Sequence, residues 1–223
     1  MIPIEREDGV AMVVAVMAVL LLTALGTALI LSSSAETMIA ASFRHGIEAR
    51  YAAAAMLERG MDDLTAVEDW SLVTGGLLRS PWVDGAPTGV RRLSDGSTID
   101  LTQVVNVANC QKSTACSPAE LAATTEDRPW GANNPQWRLY AYGPVRDMLG
   151  PGTVDSPYYV VLLAGNGPAA SLLAVRAEAF GPRGAHAVVE ATAGGAGASS
   201  GEWDYNGHSG DDGVRVFSWR EVR

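Results

Sequence analysis

Apolar and polar positions divide this chain into an unbroken apolar run, an amphipathic run and a long remainder of mixed, shorter periods. From Val10 to Leu31 no residue is charged and none is proline. Apolar residues then recur at Ile39, Phe43, Ile47, Tyr51, Ala54, Leu57, Met61 and Leu64, in steps of four and three, among Glu36, Arg44, Glu48, Glu58, Arg59, Asp62 and Asp63. At about 1.5 Å per residue the first run makes a helix about 33 Å long, enough for a bilayer core of about 30 Å. The second run has the spacing of one helix face, and Ala52 to Ala55 add helix propensity. After Leu31 no proline appears before Pro81, and Gly46 and Gly60 are the glycines before Gly75. One helix is therefore expected over residues 10–66, about 85 Å long, with 10–31 crossing the membrane. Its second half is expected to lay the Ile39–Leu64 face on a globular domain formed by residues 67–223.

Strand signals follow. Ser97 to Val107 alternates and is rich in β-branched residues, which reads as a half-buried strand. Trp137 to Tyr142 alternates again, and Tyr158 to Ala164 is continuously apolar, as in a central strand. Leu172–Phe180 and Ala187–Thr192 flank Gly181-Pro182-Arg183-Gly184 and read as a hairpin. Val214 to Val222 reads as a closing strand, with Val214, Val216 and Ser218 on one face and Arg215, Phe217 and Trp219 on the other. The fold class expected is α+β: a long N-terminal helix packed on an antiparallel sheet. About 155 residues beyond the helix suit a single core.

Ahead of the apolar run, Glu5, Glu7 and Asp8 outnumber Arg6. A cleaved secretory signal has a basic start and a shorter apolar core, although the alanine-rich sequence after Leu31 offers a chance cleavage site. A plain single-span anchor also fits the run. Arg6 precedes it while Arg44 and Arg50 follow, so positive charge does not choose an orientation. The formal net charge of −9 becomes −7 once residues 1–9, with three acidic residues and one arginine, are set aside. An acidic domain whose single lysine is Lys112 is a poor nucleic-acid binder, and no direct nucleic-acid partner is expected.

Cys110 and Cys116 are the only cysteines. An even count in an extracytoplasmic domain favours a disulfide, contributing about 2 kcal/mol for so short a loop. Free or metal-bound thiols are the alternative, but no second cysteine pair or nearby histidine completes a zinc site. No nucleophile elbow, phosphate loop or zinc-protease motif appears, and His45, His186 and His208 lie far apart, so no catalytic residue and no enzyme activity is expected. No cofactor is expected either, apart from one candidate calcium loop. Asp204, Asn206, Asp211 and Asp212 supply oxygen donors there, but in a spacing unlike an EF-hand, and the segment reads first as a solvated turn-rich loop. The segment Pro129 to Trp137 reads first as a loop held by two packed tryptophans and second as a recognition surface.

The apolar run from Gly9 to Gly26, the segment Ser32-Ser33-Ser34-Ala35-Glu36, the pattern Ala40-x-x-Phe43-Arg44 and the alanine-rich turn after Glu48 and Tyr51 resemble the PilX-type minor pilins of type IV pili. The tail, Leu173 to Ala185 and Gly213 to Arg223, resembles that family's closing strands. The resemblance implies a type IV pilin fold. Residues 1–9 would be a prepilin leader, cut by prepilin peptidase between Gly9 and Val10, with Val10 then N-methylated. It implies one span in the inner membrane with a periplasmic head before assembly, and a place in the extracellular pilus afterwards. Through the helix the partners would be other minor pilins and the major pilin; the head would meet a PilY-type tip adhesin. The implied role is to prime pilus assembly and to sit at the tip, in support of twitching motility, adhesion or DNA uptake.

Two positions depart from the usual pilin pattern. Val10 stands where most major pilins have phenylalanine, and Val14 where most have glutamate. A carboxylate in lipid is costly unless it meets a partner such as a neighbour's terminal ammonium. Val14 therefore fits a subunit at the leading end of a filament, or one for which apolar packing alone suffices. The alternatives kept are a minor pseudopilin of a type II secretion system and a membrane-tethered extracytoplasmic binding domain.

Overall fold

The computed structural model describes residues 8–148, 155–167, 169, 171–194 and 215–222. The chain divides into two compact units, one up to Arg44 and one from His45 onward. Helix α1, Asp8–Thr65, runs through 58 residues without a break, as the absence of proline permits. Up to Arg44 this helix is the whole of the first unit's described structure.

The second unit begins inside α1 and continues through α2 (Trp70–Thr74), β1 (Val90–Arg92), β2 (Thr98–Asp100), α3 (Leu101–Cys110), α4 (Pro118–Leu121), β3 (Arg138–Pro144), α5 (Val145–Met148), β4 (Tyr159–Asn166), β5 (Leu172–Phe180), β6 (His186–Gly194) and β7 (Arg215–Val222). Strands β3 to β7 form a five-stranded antiparallel meander in sequence order. The protein is thus α+β, with a long apolar N-terminal helix followed by an antiparallel sheet.

Alternation along the strands gives the sheet two faces. Val160, Leu162, Val175, Ala177, Val189 and Ala191 point to one side and form a core with Ala49, Ala52, Ala53, Met56, Leu57, Met61 and Leu64 of α1. Tyr159, Val161, Leu163 and Ala174 point to the other, under Leu93, Leu101, Val104, Ala108 and Trp137. Each fully buried leucine or valine contributes about 1.5–3 kcal/mol. Helix and sheet come close at Ala49, Ala52 and Ala53 and again at Gly60, where the helix side is small. A Cβ built on Gly60 would stand 2.1 Å from Leu162 Cδ2.

The face of α1 that packs on the sheet differs from the one expected. Of the apolar series within the second unit, Leu57, Met61 and Leu64 are buried, but Tyr51 is 72% exposed. The alanines at 49, 52 and 53 take the sheet side instead, since small side chains permit the closer approach.

The strand expected over Ser97–Val107 is a second correction. Extended backbone ends at Asp100, whose carboxylate accepts from the N–H groups of Thr102 (2.8 Å) and Gln103 (3.3 Å) and caps α3. Leu101, Val104 and Ala108, at helical spacing, are the residues that become buried. The apolar residues of this segment satisfy both periods, and the cap decides between them. Asn109 then ties α3 to the start of β3: its Nδ2 donates to the Trp137 carbonyl (3.0 Å), and its Oδ1 accepts from the Trp137 N–H (2.9 Å).

Candidate functional site

The apolar half of α1 is the first candidate, because its apolar side chains are exposed. It is the one helix among the described residues long and apolar enough to cross a membrane. Val10 is 67% exposed, Val14 60%, Leu22 69% and Leu29 71%. Its few polar side chains are closed onto the helix itself. Thr23 Oγ1 donates to the Val19 carbonyl at 2.7 Å, Thr27 Oγ1 to Ala24 at 2.9 Å, and Ser34 Oγ to Ile30 at 2.9 Å. In hydrocarbon an open hydroxyl is costly, and this back-bonding removes the cost without a partner helix. Gly26 has no atom within 4 Å of a built Cβ, so its bare backbone is open to close approach from outside.

Ile39, Phe43 and Tyr51 are exposed apolar side chains as well. Gly9 and Val10, the expected processing point, lie in the first turn of α1.

Cys110 and Cys116 are joined by a disulfide, with their Cα atoms 6.0 Å apart. It closes the turn after α3, where Gln111 adopts a left-handed conformation (φ 59°). Lys112 reaches across to Glu120, and with the Ser117 amide and hydroxyl it pushes the Glu120 carboxyl down to about 2. The single lysine is therefore committed to this loop. Asp204, Asn206, Asp211 and Asp212, the candidate calcium ligands, lie outside the described residues, as does His208. Among the described residues no group of three His, Cys, Asp or Glu side chains could hold a metal ion.

A charged cluster on the outer sheet face was not anticipated. Arg176 of β5, Glu190 of β6 and Arg220 of β7 are cross-strand partners in one row. Arg176 Nη1 donates to Glu190 Oε1 and Arg176 Nε to Glu178 Oε1, each at 2.7 Å. Arg220 Nη2 and Nε both donate to Glu190 Oε2, at 2.6 and 2.8 Å. His186 Nε2 lies 3.0 Å from Glu178 Oε2. A carboxylate only accepts, so that nitrogen carries the proton. Arg176, Glu178 and Glu190 are all buried. The available signal was charged residues at alternate positions within strands that are otherwise apolar.

Burial alone would raise the Glu178 carboxyl, but the His186 hydrogen bond and the Arg176 charge more than offset it and hold it below its ordinary value of 4.5. A depressed carboxyl adds stability that is present above the unfolded value and lost as pH falls through the folded one. The urea midpoint should therefore drop as pH falls from about 5 toward about 3, and Glu178→Gln should flatten that drop. An unchanged slope in the variant would show that Glu178 is not the group responsible.

No family model, curated protein or solved structure matches this chain.

Proposed function

We propose that the chain is a minor pilin of the PilX type, which primes assembly of a type IV pilus and takes a place at its tip. The observation that carries this reading is one unbroken helix with two uses. Its first half is apolar, exposed and closed in its own hydrogen bonds, and from Ala49 its second half supplies a wall of the sheet domain's core. Such a helix is held in the inner membrane with the sheet domain in the periplasm. It then leaves lipid for a bundle of sister helices, major pilin and other minor pilins among them. Lipid tails and apolar side chains are similar solvents, so the transfer is driven by packing, to which Gly26 and the small residues around it are suited. Prepilin peptidase cuts after Gly9 and Val10 is methylated. The sheet domain contacts other minor pilins and a PilY-type adhesin. The role is assembly rather than catalysis, in support of twitching motility, adhesion or DNA uptake, and it calls for neither a cofactor nor direct nucleic-acid contact.

Two measurements test the reading. Mass spectrometry of the protein from cells with active prepilin peptidase should find N-methylated Val10 at the N-terminus; recovery of Met1, or of a cut after the span, would exclude a pilin. Single cysteines placed along Val10–Leu64 should crosslink to other pilins in living cells. Capture of secretion-system pseudopilins would move the protein to that machine, and no crosslink at any position would leave a tethered domain.

A further inference from the structure

A shallow pocket of about 310 Å³ lies beside the edge strand β3, between the turn that ends α2 and the first half of α3. Two arginines line it: Arg79, from the segment after α2, and Arg138, the first residue of β3. No other charged residue is in its lining. Among the described residues neither guanidinium makes an ion pair or a hydrogen bond. Single solvated arginines are ordinary on a surface. Two that face one hollow, with no carboxylate in it, in a chain of formal net charge −9, are not.

The rest of the lining adds donors. The hydroxyls of Thr88 and Thr102 have no partner among the described residues, and Asn106 Nδ2 donates to the Ser113 carbonyl (3.2 Å) with one of its hydrogens. The carboxylates of the adjoining segments are engaged elsewhere. Asp84 pairs with Arg91 (3.5 Å) and accepts from the Tyr159 hydroxyl (3.2 Å), and Asp100 caps α3. The walls are held in place. The stem of Arg138 runs along Gly76, whose φ is 74°: a Cβ built there would stand 3.8 Å from Arg138 Cδ. Arg91 fastens the loop that carries Thr88. Its Nε and Nη2 donate to the Asp84 carbonyl (3.0 and 2.8 Å), and its Nη1 to the Thr88 carbonyl (3.3 Å). Pro87 and Val105 add apolar surface to the same pocket.

We propose that this pocket binds a doubly charged phosphate group, held by Arg79 and Arg138 with the hydroxyls of Thr88 and Thr102. Two guanidinium charges with no carboxylate in the lining match a dianion, and the guanidinium fork fits phosphate geometry. A phosphate group also offers more acceptor oxygens than a carboxylate, which suits a lining made largely of donors. The group comes either from inorganic phosphate or from a phosphate monoester whose body lies on Pro87 and Val105. The inference is independent of the pilus reading, because the pocket uses no residue of α1.

The test is isothermal titration of the full chain in a nonionic detergent, at constant ionic strength. It is run at about pH 8, above the second pKa of about 6 of a phosphate monoester. Inorganic phosphate and phenyl phosphate represent the two sources. Benzoate presents the same ring with one charge, and chloride is the bare anion. Saturable binding of inorganic phosphate or phenyl phosphate is expected, at least about tenfold tighter than benzoate or chloride. The tighter of the two phosphates identifies the source. Arg79→Gln and Arg138→Gln should each weaken that binding by about tenfold or more. Arg146→Gln removes the same charge from an exposed arginine outside the pocket, and should leave the affinity within about twofold. Equal binding of benzoate or chloride, no saturable binding of either phosphate, unchanged affinity in Arg79→Gln, or an equal loss in Arg146→Gln would overturn the proposal. Should Arg138→Gln fail to fold, Arg79→Gln decides, because Arg79 is exposed and its guanidinium bonds to nothing among the described residues.

Discussion

Replacing Arg176 by methionine should cost the sheet domain about 3–5 kcal/mol, a large part of the stability of an ordinary domain. The arginine bonds two carboxylates on adjacent strands, Glu178 and Glu190, and both are more than nine-tenths buried. Methionine fills most of the space but leaves two neighbouring anions without the charge between them. His186 and Arg220 still hold one oxygen of each, so partial unfolding rather than collapse is the expected outcome. Urea denaturation of wild type and variant at about pH 7 measures the loss. The same comparison near pH 4.5 should give a smaller difference, since protonation relieves the repulsion the variant creates. A loss under about 1 kcal/mol at pH 7 would mean that the row is solvated and contributes like a surface pair.

Gly60→Leu should cost at least about 1–3 kcal/mol, because the added side chain must enter space already taken by Leu162. A built Cβ at Gly60 lies 2.1 Å from Leu162 Cδ2 and 3.3 Å from Leu162 Cγ, and Leu162 is 1% exposed. The milder Gly60→Ala gives a sharper reading. Alanine gains about 1 kcal/mol of helix propensity over glycine, so the clash and the gain oppose each other. In the wild-type background the clash should win and the variant should be destabilised. In a Leu162→Ala background, itself lower by about 2–5 kcal/mol, the same change should stabilise. Denaturation midpoints of the four proteins decide the matter. If Gly60→Ala has the same effect in both backgrounds, helix and sheet are not in contact at this point.

Elements with a single strong period were readable from residues alone. Val10–Leu31 has no breaker and no charge, and it is helical; Tyr158–Ala164 and the Leu172–Phe180 hairpin arm are β4 and β5 to within a residue or two at their ends. The failures have physical causes. Ser97–Val107 carries apolar residues that suit both a strand and a helix, and the outcome turned on whether Asp100 would cap. On α1, size misled: Tyr51 is the larger residue, but the sheet accepts Ala49, Ala52 and Ala53 because they let the backbones approach. The charged row could not be read in advance. Arg176, Glu190 and Arg220 meet only through the registers of β5, β6 and β7, and a shift by one residue would turn their side chains to the opposite face.

The hydroxyl of Tyr158 has two acceptors within reach of its one proton, the His45 carbonyl (3.0 Å) and Glu48 Oε2 (3.2 Å), 113 and 110 residues earlier in the chain. Gly181 makes room for that ring: a Cβ there would stand 2.0 Å from Tyr158 Cε1. On the ribosome, the alanine side of α1 therefore emerges long before the strands that cover it, whereas each strand of the meander needs only its immediate successor. Contacts over short loops close first and those over long loops last. The sheet should gather hairpin by hairpin while the helix waits, and docking at Tyr158 should be among the closing events, so that substitutions there speed unfolding more than they slow folding.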